Sequence, residues 1–358
     1  MRILGIETSC DETAAAVVEN GNRLLSNVVA SSVNLHAAFG GVVPEIASRS
    51  HLEVILSVID QAVREAFQGQ TPEEAWDQID AIAVTQGPGL SGSLLIGVLT
   101  ARTLAIAKKK PLYAVNHVHA HVYASFLTKT ALPGYNLPAK PPAFPLLSLI
   151  VSGGHTQLVR FRGHFSYTVL GQTLDDAVGE AFDKVAKILG LPYPGGPSVA
   201  LAAKNGNPNS VKLPKAKLGN KYDFSFSGLK TAVLRAAQEL AGQDYAFPSH
   251  KLPKALSASQ KANLAASFQQ TAVDTLAGGL SEAIKEFNPK SVVIAGGVAA
   301  NQKLRWLTKS LRPTPVFPDI KLCTDNAAMI AAQAYYQASN KRPAADPYSL
   351  EITPDLSM

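Results

Sequence analysis

The chain has 358 residues, 46% hydrophobic and 17% charged, with 26 Gly and 23 Pro; this excludes a disordered, collagen-like or disulfide-stapled chain and suggests two domains of ~150 residues each. Two cysteines, Cys10 and Cys323, are too few for a zinc ribbon and fit a reducing compartment; Glu7, Asp11 and Glu12 interrupt the apolar run a signal peptide needs, so a cytoplasmic protein is expected. The net charge of +6 is segregated: residues 1–100 carry four Arg, no Lys and twelve acids, while residues 201–261 carry ten Lys or Arg against three acids.

Apolar runs at 2–7, 13–19 and 23–30, parted by a polar turn at 8–12 and by Asn20-Gly21-Asn22, predict a three-stranded meander. Residues 44–67 predict a helix with Leu52, Ile55, Leu56, Ile59 and Val63 on one face. That face either packs on the first sheet or receives a partner helix. A buried strand at 81–85, a Gly-rich turn at 86–92 and a helix to 107 follow. Arg102 interrupts this apolar helix, which falls short of the ~18 residues of a membrane span, so no membrane contact is expected. Residues 129–145, with five Pro, read as a loop.

The meander then returns. Strands are predicted at 145–151, 155–162 and 167–170, parted by Ser152-Gly153-Gly154 and by Gly163-His164. Helices at 175–189, 228–240 and 259–286, a strand at 291–295, a Gly296-Gly297 turn and a helix at 301–311 come next. A last helix opens at Thr324 and Asp325 and runs to about Gln337, and the tail after Asn340 lacks periodicity and is expected to be loose. A meander followed by helices, met twice, implies two similar halves.

Three features carry chemistry. Within Asn116-His117-Val118-His119-Ala120-His121, His117 and His121 stand at i, i+4, close enough on a helix to chelate one ion. The zinc-peptidase version of this spacing needs a Glu directly after the first His; Val118 stands there, and two His do not complete a site, so a carboxylate must come from elsewhere. The bland alternative is an ordinary helix start. Small-residue turns after predicted strands, at residues 7–13, 152–156 and 296–301, offer backbone N–H groups to a phosphate. The turn at residues 86–93 has the look of a fourth phosphate loop, but the favoured reading is a rigid strand-to-helix connection. Finally, Lys212, Lys215, Lys217, Lys221 and Lys230 lie near Tyr222, Phe224 and Phe226, a mixture suited to RNA or to a solvated Lys-rich loop.

Eleven ordered motifs carry a resemblance. They are Glu7-Thr8-Ser9-Cys10-Asp11-Glu12-Thr13, His36 with Phe39-Gly40-Gly41-Val42-Val43-Pro44-Glu45, Ala47-Ser48-Arg49 with His51, Gln86-Gly87-Pro88-Gly89, and the His117–His121 cluster. The order continues through Val151-Ser152-Gly153-Gly154-His155-Thr156, Gly179-Glu180-Ala181-Phe182-Asp183-Lys184, Pro194-Gly195-Gly196-Pro197 and Phe224-Ser225-Phe226-Ser227-Gly228-Leu229-Lys230-Thr231. Gly296-Gly297-Val298 with Asn301 and Cys323-Thr324-Asp325-Asn326 complete it. From residue 1 to about 338 the chain resembles the tRNA adenosine threonylcarbamoyltransferase family. The Pro-rich loop at 129–145 and the tail depart from its pattern.

The resemblance implies an α/β fold of two duplicated actin-like (ribonuclease-H-like) domains with a nucleotide cleft between them. The expected boundaries are 1–115, completed by a helix at 325–338, then 116–324 with a basic insertion at 201–261, and a tail at 339–358. It implies transfer of a threonylcarbamoyl group from threonylcarbamoyl-AMP to N6 of the adenosine beside the tRNA anticodon. It implies one divalent metal on His117, His121 and Asp325, usually iron; imidazole suits zinc equally. The implied nucleotide is threonylcarbamoyl-AMP or ATP, on Ile150, Val151, Ser152, Gly153, Gly154, Asp183, Gly196 and Asn301. Asp11 or Glu12 would accept the amine proton if within reach; alternatively Asp11 only stabilises its turn. The implied partners are tRNA, a catalytically degenerate paralogue and a small ATPase. The rival readings are a metallopeptidase and a nucleotide-driven binding module.

Overall fold

Small and branched apolar residues build a meander of β1 (Arg2–Glu7), β2 (Glu12–Glu19) and β3 (Arg23–Ser31), antiparallel neighbours. Asn20 and Gly21, both at positive φ, form the turn between β2 and β3, the turn chemistry whose twist matches a hairpin. The computed structural model describes residues 1–358. After β3 come α1 (Val33–His36), α2 (Pro44–Ala66), α3 (Pro72–Asp77), β4 (Ala81–Gly87), α4 (Ser91–Lys108), β5 (Leu112–Asn116), α5 (His117–Tyr123) and the short β6 (Lys129–Thr130). The sheet order is β5-β4-β1-β2-β3-β6, with β4 and β5 parallel to β1.

The same scheme recurs. β7 (Leu146–Val151), β8 (Thr156–Gly163) and β9 (Ser166–Gln172) form a second meander. It is followed by α6 (Val178–Leu189), α7 (Gly195–Ala203), α8 (Ser227–Leu240), α9 (Leu252–Ala255), α10 (Ala258–Phe287), β10 (Ser291–Ala295) and α11 (Gln302–Thr308). β10 adds parallel to β7, giving β10-β7-β8-β9. The duplicated α/β fold expected from the sequence is present. The final helix, α12 (Ala327–Ser339), packs on β1, β2 and α5.

The chain divides into one unit of residues 1–142 and 317–358 and another of 143–316. These boundaries differ from the expected ones: α5, with its histidines, belongs to the first unit because it packs against α12. In that unit Leu4, Ile6, Ala15 and Val17 bury one sheet face against Ile55, Ile59 and Val63 of α2 and Val98 and Ala101 of α4. Each such Leu, Ile or Val side chain contributes roughly 1.5–3 kcal/mol by burial. Leu52 and Leu56, expected on the same stripe, are instead 66% and 68% exposed; the apolar stripe is wider than the sheet it covers.

Two further expectations need correction. Helix α4 spans 18 residues and is apolar enough, by length and composition, to cross a membrane; it lies instead on the first sheet, with Leu94, Val98, Ala101 and Ala105 buried. The tail is irregular but tied down. Arg102 donates to the carbonyls of Pro347, Tyr348 and Leu350, at 2.7, 2.6 and 3.2 Å. Ala345 N donates to Leu112 O, Thr353 N to Gln86 O and Gly89 N to Pro354 O. Leu350 enters the core.

Candidate metal centre and substrate cradle

β5 ends in Asn116, whose side-chain oxygen accepts from His119 N at 3.0 Å and so starts α5 at His117. This phasing puts His117 and His121 on one face, their ring centroids 4.8 Å apart. His119 faces another way, with Gln333 of α12 at 3.2 Å. Asp325 arrives from the far end of the chain, just before Asn326 caps α12 by accepting from Met329 N. Its Oδ1 lies 3.4 Å from His117 Nε2 and 3.5 Å from His121 Nε2. Two ligand atoms each ~2.1 Å from one ion at a tetrahedral angle stand ~3.4 Å apart. The donor atoms all fall within 4.8 Å of one another, so the three side chains can hold one metal ion.

Behind them stands Glu7, the last residue of β1 and fully buried. Its Oε2 lies 3.0 Å from His117 Nδ1 and accepts from Thr85 Oγ1 at 2.6 Å, while Oε1 accepts from Ser9 N at 2.5 Å. Burial opposes charge on Glu7, but His117 and the hydrogen bonds outweigh it and hold the carboxyl below its usual range. Burial likewise works against charge on His117, and Asp325 and Glu7 outweigh it, so that its pKa is raised.

The turn carrying Asp11 and Glu12 is fastened by its carbonyls. Ser32 N and Oγ donate to Asp11 O at 3.0 and 2.8 Å. His51 Nε2 and Ser93 Oγ reach Cys10 O at 3.0 and 3.2 Å, and Leu90 N donates to Ser9 O at 2.8 Å. His51 is anchored in turn by Thr13 Oγ1 at 2.7 Å, and His36 accepts from Val43 N and meets Ser32 Oγ. These two histidines brace the turn from behind. Asp11 is 9% exposed. Burial, then the charges of Asp325 and Asp11, push Glu12 up to about 10.

In the second unit, Ile150 and Val151 end β7, and the Ser152–His155 turn closes with Ser152 N donating to His155 O at 2.8 Å. Gly153 and Gly154 have open space where a Cβ would stand. Gly296, at φ +94, ends the parallel neighbour β10; a Cβ there would meet the Val151 backbone. Both glycine turns thus lie at the C-terminal ends of adjacent parallel strands, where open α/β sheets bind ligands. Asp183 Oδ1 accepts from Gly195 N at 2.7 Å, fixing the start of α7 beside Gly196. Asn301 caps α11 through Lys303 N and Leu304 N, and its Nδ2 donates to Gln269 of α10 at 2.9 Å.

The basic segment is partly corrected. Tyr222, Phe224 and Phe226 are core side chains, at most 6% exposed, and cannot stack on bases. Lys221 pairs with Glu286, Lys230 with Asp176 and Lys215 with Asp274, while Lys212 and Lys217 are exposed. Glu7, Thr85 and Gln269 were missed as site residues; only the Glu that closes an apolar strand gave any signal.

A family model described as TsaD, tRNA N6-adenosine threonylcarbamoyltransferase, matches residues 23–332. A relative from Thermomicrobium roseum with that name is 52% identical, over 94% of this chain and 92% of its own length. Another with the same name, from Bacillus subtilis, is 49% identical over 93% of this chain and 89% of its own. Among solved structures, HypF from T. kodakarensis aligns with a TM-score of 0.58 at 14% identity, over 97% of this chain and 49% of that one. Full-length HypF in a phosphate- and nucleotide-bound form aligns at 0.55 and 13% identity, over 96% of this chain and 56% of that one. These two likenesses show the fold.

Proposed function

The chain belongs to the TsaD family of tRNA N6-adenosine threonylcarbamoyltransferases, and on that premise we propose how its residues divide the work of transferring a threonylcarbamoyl group to tRNA. The observation that carries the proposal is the meeting of His117, His121 and Asp325 from distant parts of the chain, at 3.4 and 3.5 Å. Two imidazoles and one carboxylate suit Fe(II), with zinc the competing occupant. A metal bound there supplies Lewis-acid charge for a carbonyl or phosphate oxygen.

The rest falls to the protein. The substrate is threonylcarbamoyl-AMP. N6 of the adenosine attacks its carbamoyl carbon, the N–C bond forms, the C–O bond to phosphate breaks and AMP leaves. Backbone N–H groups of Gly153 and Gly154 and of the Gly296-Gly297 turn hold the phosphate, supported by Ile150, Val151, Ser152, Asp183, Gly196 and Asn301. Asp11 or Glu12, adjacent on the same turn, takes the proton that N6 loses. Lys212 and Lys217 meet tRNA phosphates. Leu52 and Leu56 on α2, with Leu95 and Leu99 on α4, are exposed and form an apolar face for a helical partner, a degenerate paralogue of this chain, with a small ATPase completing the assembly. A tRNA substrate places the work in the cytoplasm.

The metallopeptidase alternative gains nothing, since Val118 still stands where its water-activating Glu belongs. Asp11→Asn and Asp11→Ala should each slow tRNA modification ~100-fold or more, the usual worth of a general base, with threonylcarbamoyl-AMP binding unchanged. Near-normal rates in both would remove Asp11 from the chemistry.

A further inference from the structure

A fully buried carboxylate costs several kcal/mol in desolvation unless its lone pairs are satisfied. Glu7 lies at the end of an apolar strand and meets that requirement entirely through three groups: Thr85 Oγ1, Ser9 N and the Nδ1 side of His117. An ionised carboxylate only accepts. Where it meets His117 at 3.0 Å, Nδ1 must therefore carry the hydrogen, and the lone pair of the neutral imidazole is left on Nε2. That is the atom facing Asp325 at 3.4 Å. Glu7 also holds Ser9, whose Oγ lies 3.2 Å from the same Nδ1 and which begins the turn bearing Asp11.

We propose that Glu7 is the positioning residue of the metal centre: it sets the tautomer and ring orientation of His117, with Thr85 fixing the carboxylate that does so. The inference rests on the metal-site reading above. Carboxylate partners of ligating histidines typically govern affinity by 10–100-fold, and nothing else on β1 offers His117 an acceptor.

The test uses the full-length metal-free protein titrated with Co²⁺, whose visible absorption reports ligand geometry. Glu7→Gln keeps shape but loses the charge, and should weaken Co²⁺ binding ~10-fold or more and shift the absorption bands. Thr85→Val should shift both in the same direction by less, and Thr85→Ser should restore them. Near-ultraviolet circular dichroism checks that each variant is folded. Should Glu7→Gln fail to fold, the Thr85 pair decides. Wild-type affinity and spectrum in Glu7→Gln and Thr85→Val, with binding lost in His117→Ala, would overturn the positioning role and leave the metal site standing. Undiminished binding in both His117→Ala and Asp325→Ala would overturn the metal-site reading and this inference with it.

Discussion

Gly5→Ala adds one methyl group where β1 passes under α12. A Cβ at Gly5 would lie 2.9 Å from Ala331 N, and closer still to Ala327 O, whereas ordinary contact begins near 3.4 Å. The obstacle is helix backbone, which has no rotamer to change, so α12 must retreat by about 1 Å to bring Ala327 O to ordinary contact, enough to forfeit up to about half of each dispersion contact along the seam. Overpacking of this kind costs ~1–3 kcal/mol, opposed by the ~0.4–1 kcal/mol that Ala gains over Gly through a less flexible unfolded chain. The net sign is destabilising. The displacement is largest near Ala327, two residues beyond Asp325, so the carboxylate is drawn from His117 and His121. Metal sites tolerate about ±0.2 Å, and affinity should fall at least about tenfold. Urea unfolding and Co²⁺ titration of the same preparation measure both effects. A variant as stable as the parent, with unaltered Co²⁺ affinity, would refute the claim that α12 couples the strand to the site.

Two further outcomes are expected. Burial works to raise the pKa of Asp175, but hydrogen bonds from Ser225 and Ser227 and from the N–H groups of Phe226 and Ser227 outweigh it and leave it lowered. A depressed carboxylate stabilises the fold above its unfolded value of ~3.9 and loses that contribution as pH falls through the lower folded value; Asp175→Asn should therefore weaken the start of α8 at pH 7 and flatten its acid dependence, read by amide exchange at Phe226 and Ser227. Replacing Lys212, Lys215 and Lys217 together by Ala should weaken tRNA binding generally and lower the slope of log affinity against log salt by ~0.7–0.9 per lost phosphate contact, with threonylcarbamoyl-AMP binding intact; an unchanged slope would move the tRNA surface elsewhere.

The fold was legible where chemistry repeats along the chain. Apolar runs and the Asn20-Gly21-Asn22 turn announce the first meander, and Ser152-Gly153-Gly154 announces the second. His117 and His121 were legible from their spacing. Asp325 was not, because nothing near residue 117 says which distant carboxylate will arrive; it came from the resemblance to a family. Glu7 was hidden for a similar reason, since its burial is created by Thr85 and His117, which are remote in sequence. Tyr222 and Phe224 misled because basic neighbours suggested an RNA surface, while their rings are fixed by packing that charge does not reveal. The tail escaped notice because it is held through backbone carbonyls, which leave no pattern in side chains.

The discontinuity of the first unit has a consequence for biosynthesis. Its opening strand is made first, but the helix that covers Ile3 and Gly5, and the carboxylate that completes the ligand set, are made near the end. His121 and Asp325 are separated by ~200 residues, or ~10–40 s of translation at ~5–20 residues/s. Through that interval the nascent chain carries two histidines and an uncovered apolar sheet face, while the continuous segment 143–316 is free to fold. The three side chains can meet only once Asp325 has been made, and a chain that stops short of it leaves the ribosome without a complete ligand set, distinguished from the finished enzyme by an exposed surface that proteases can act on.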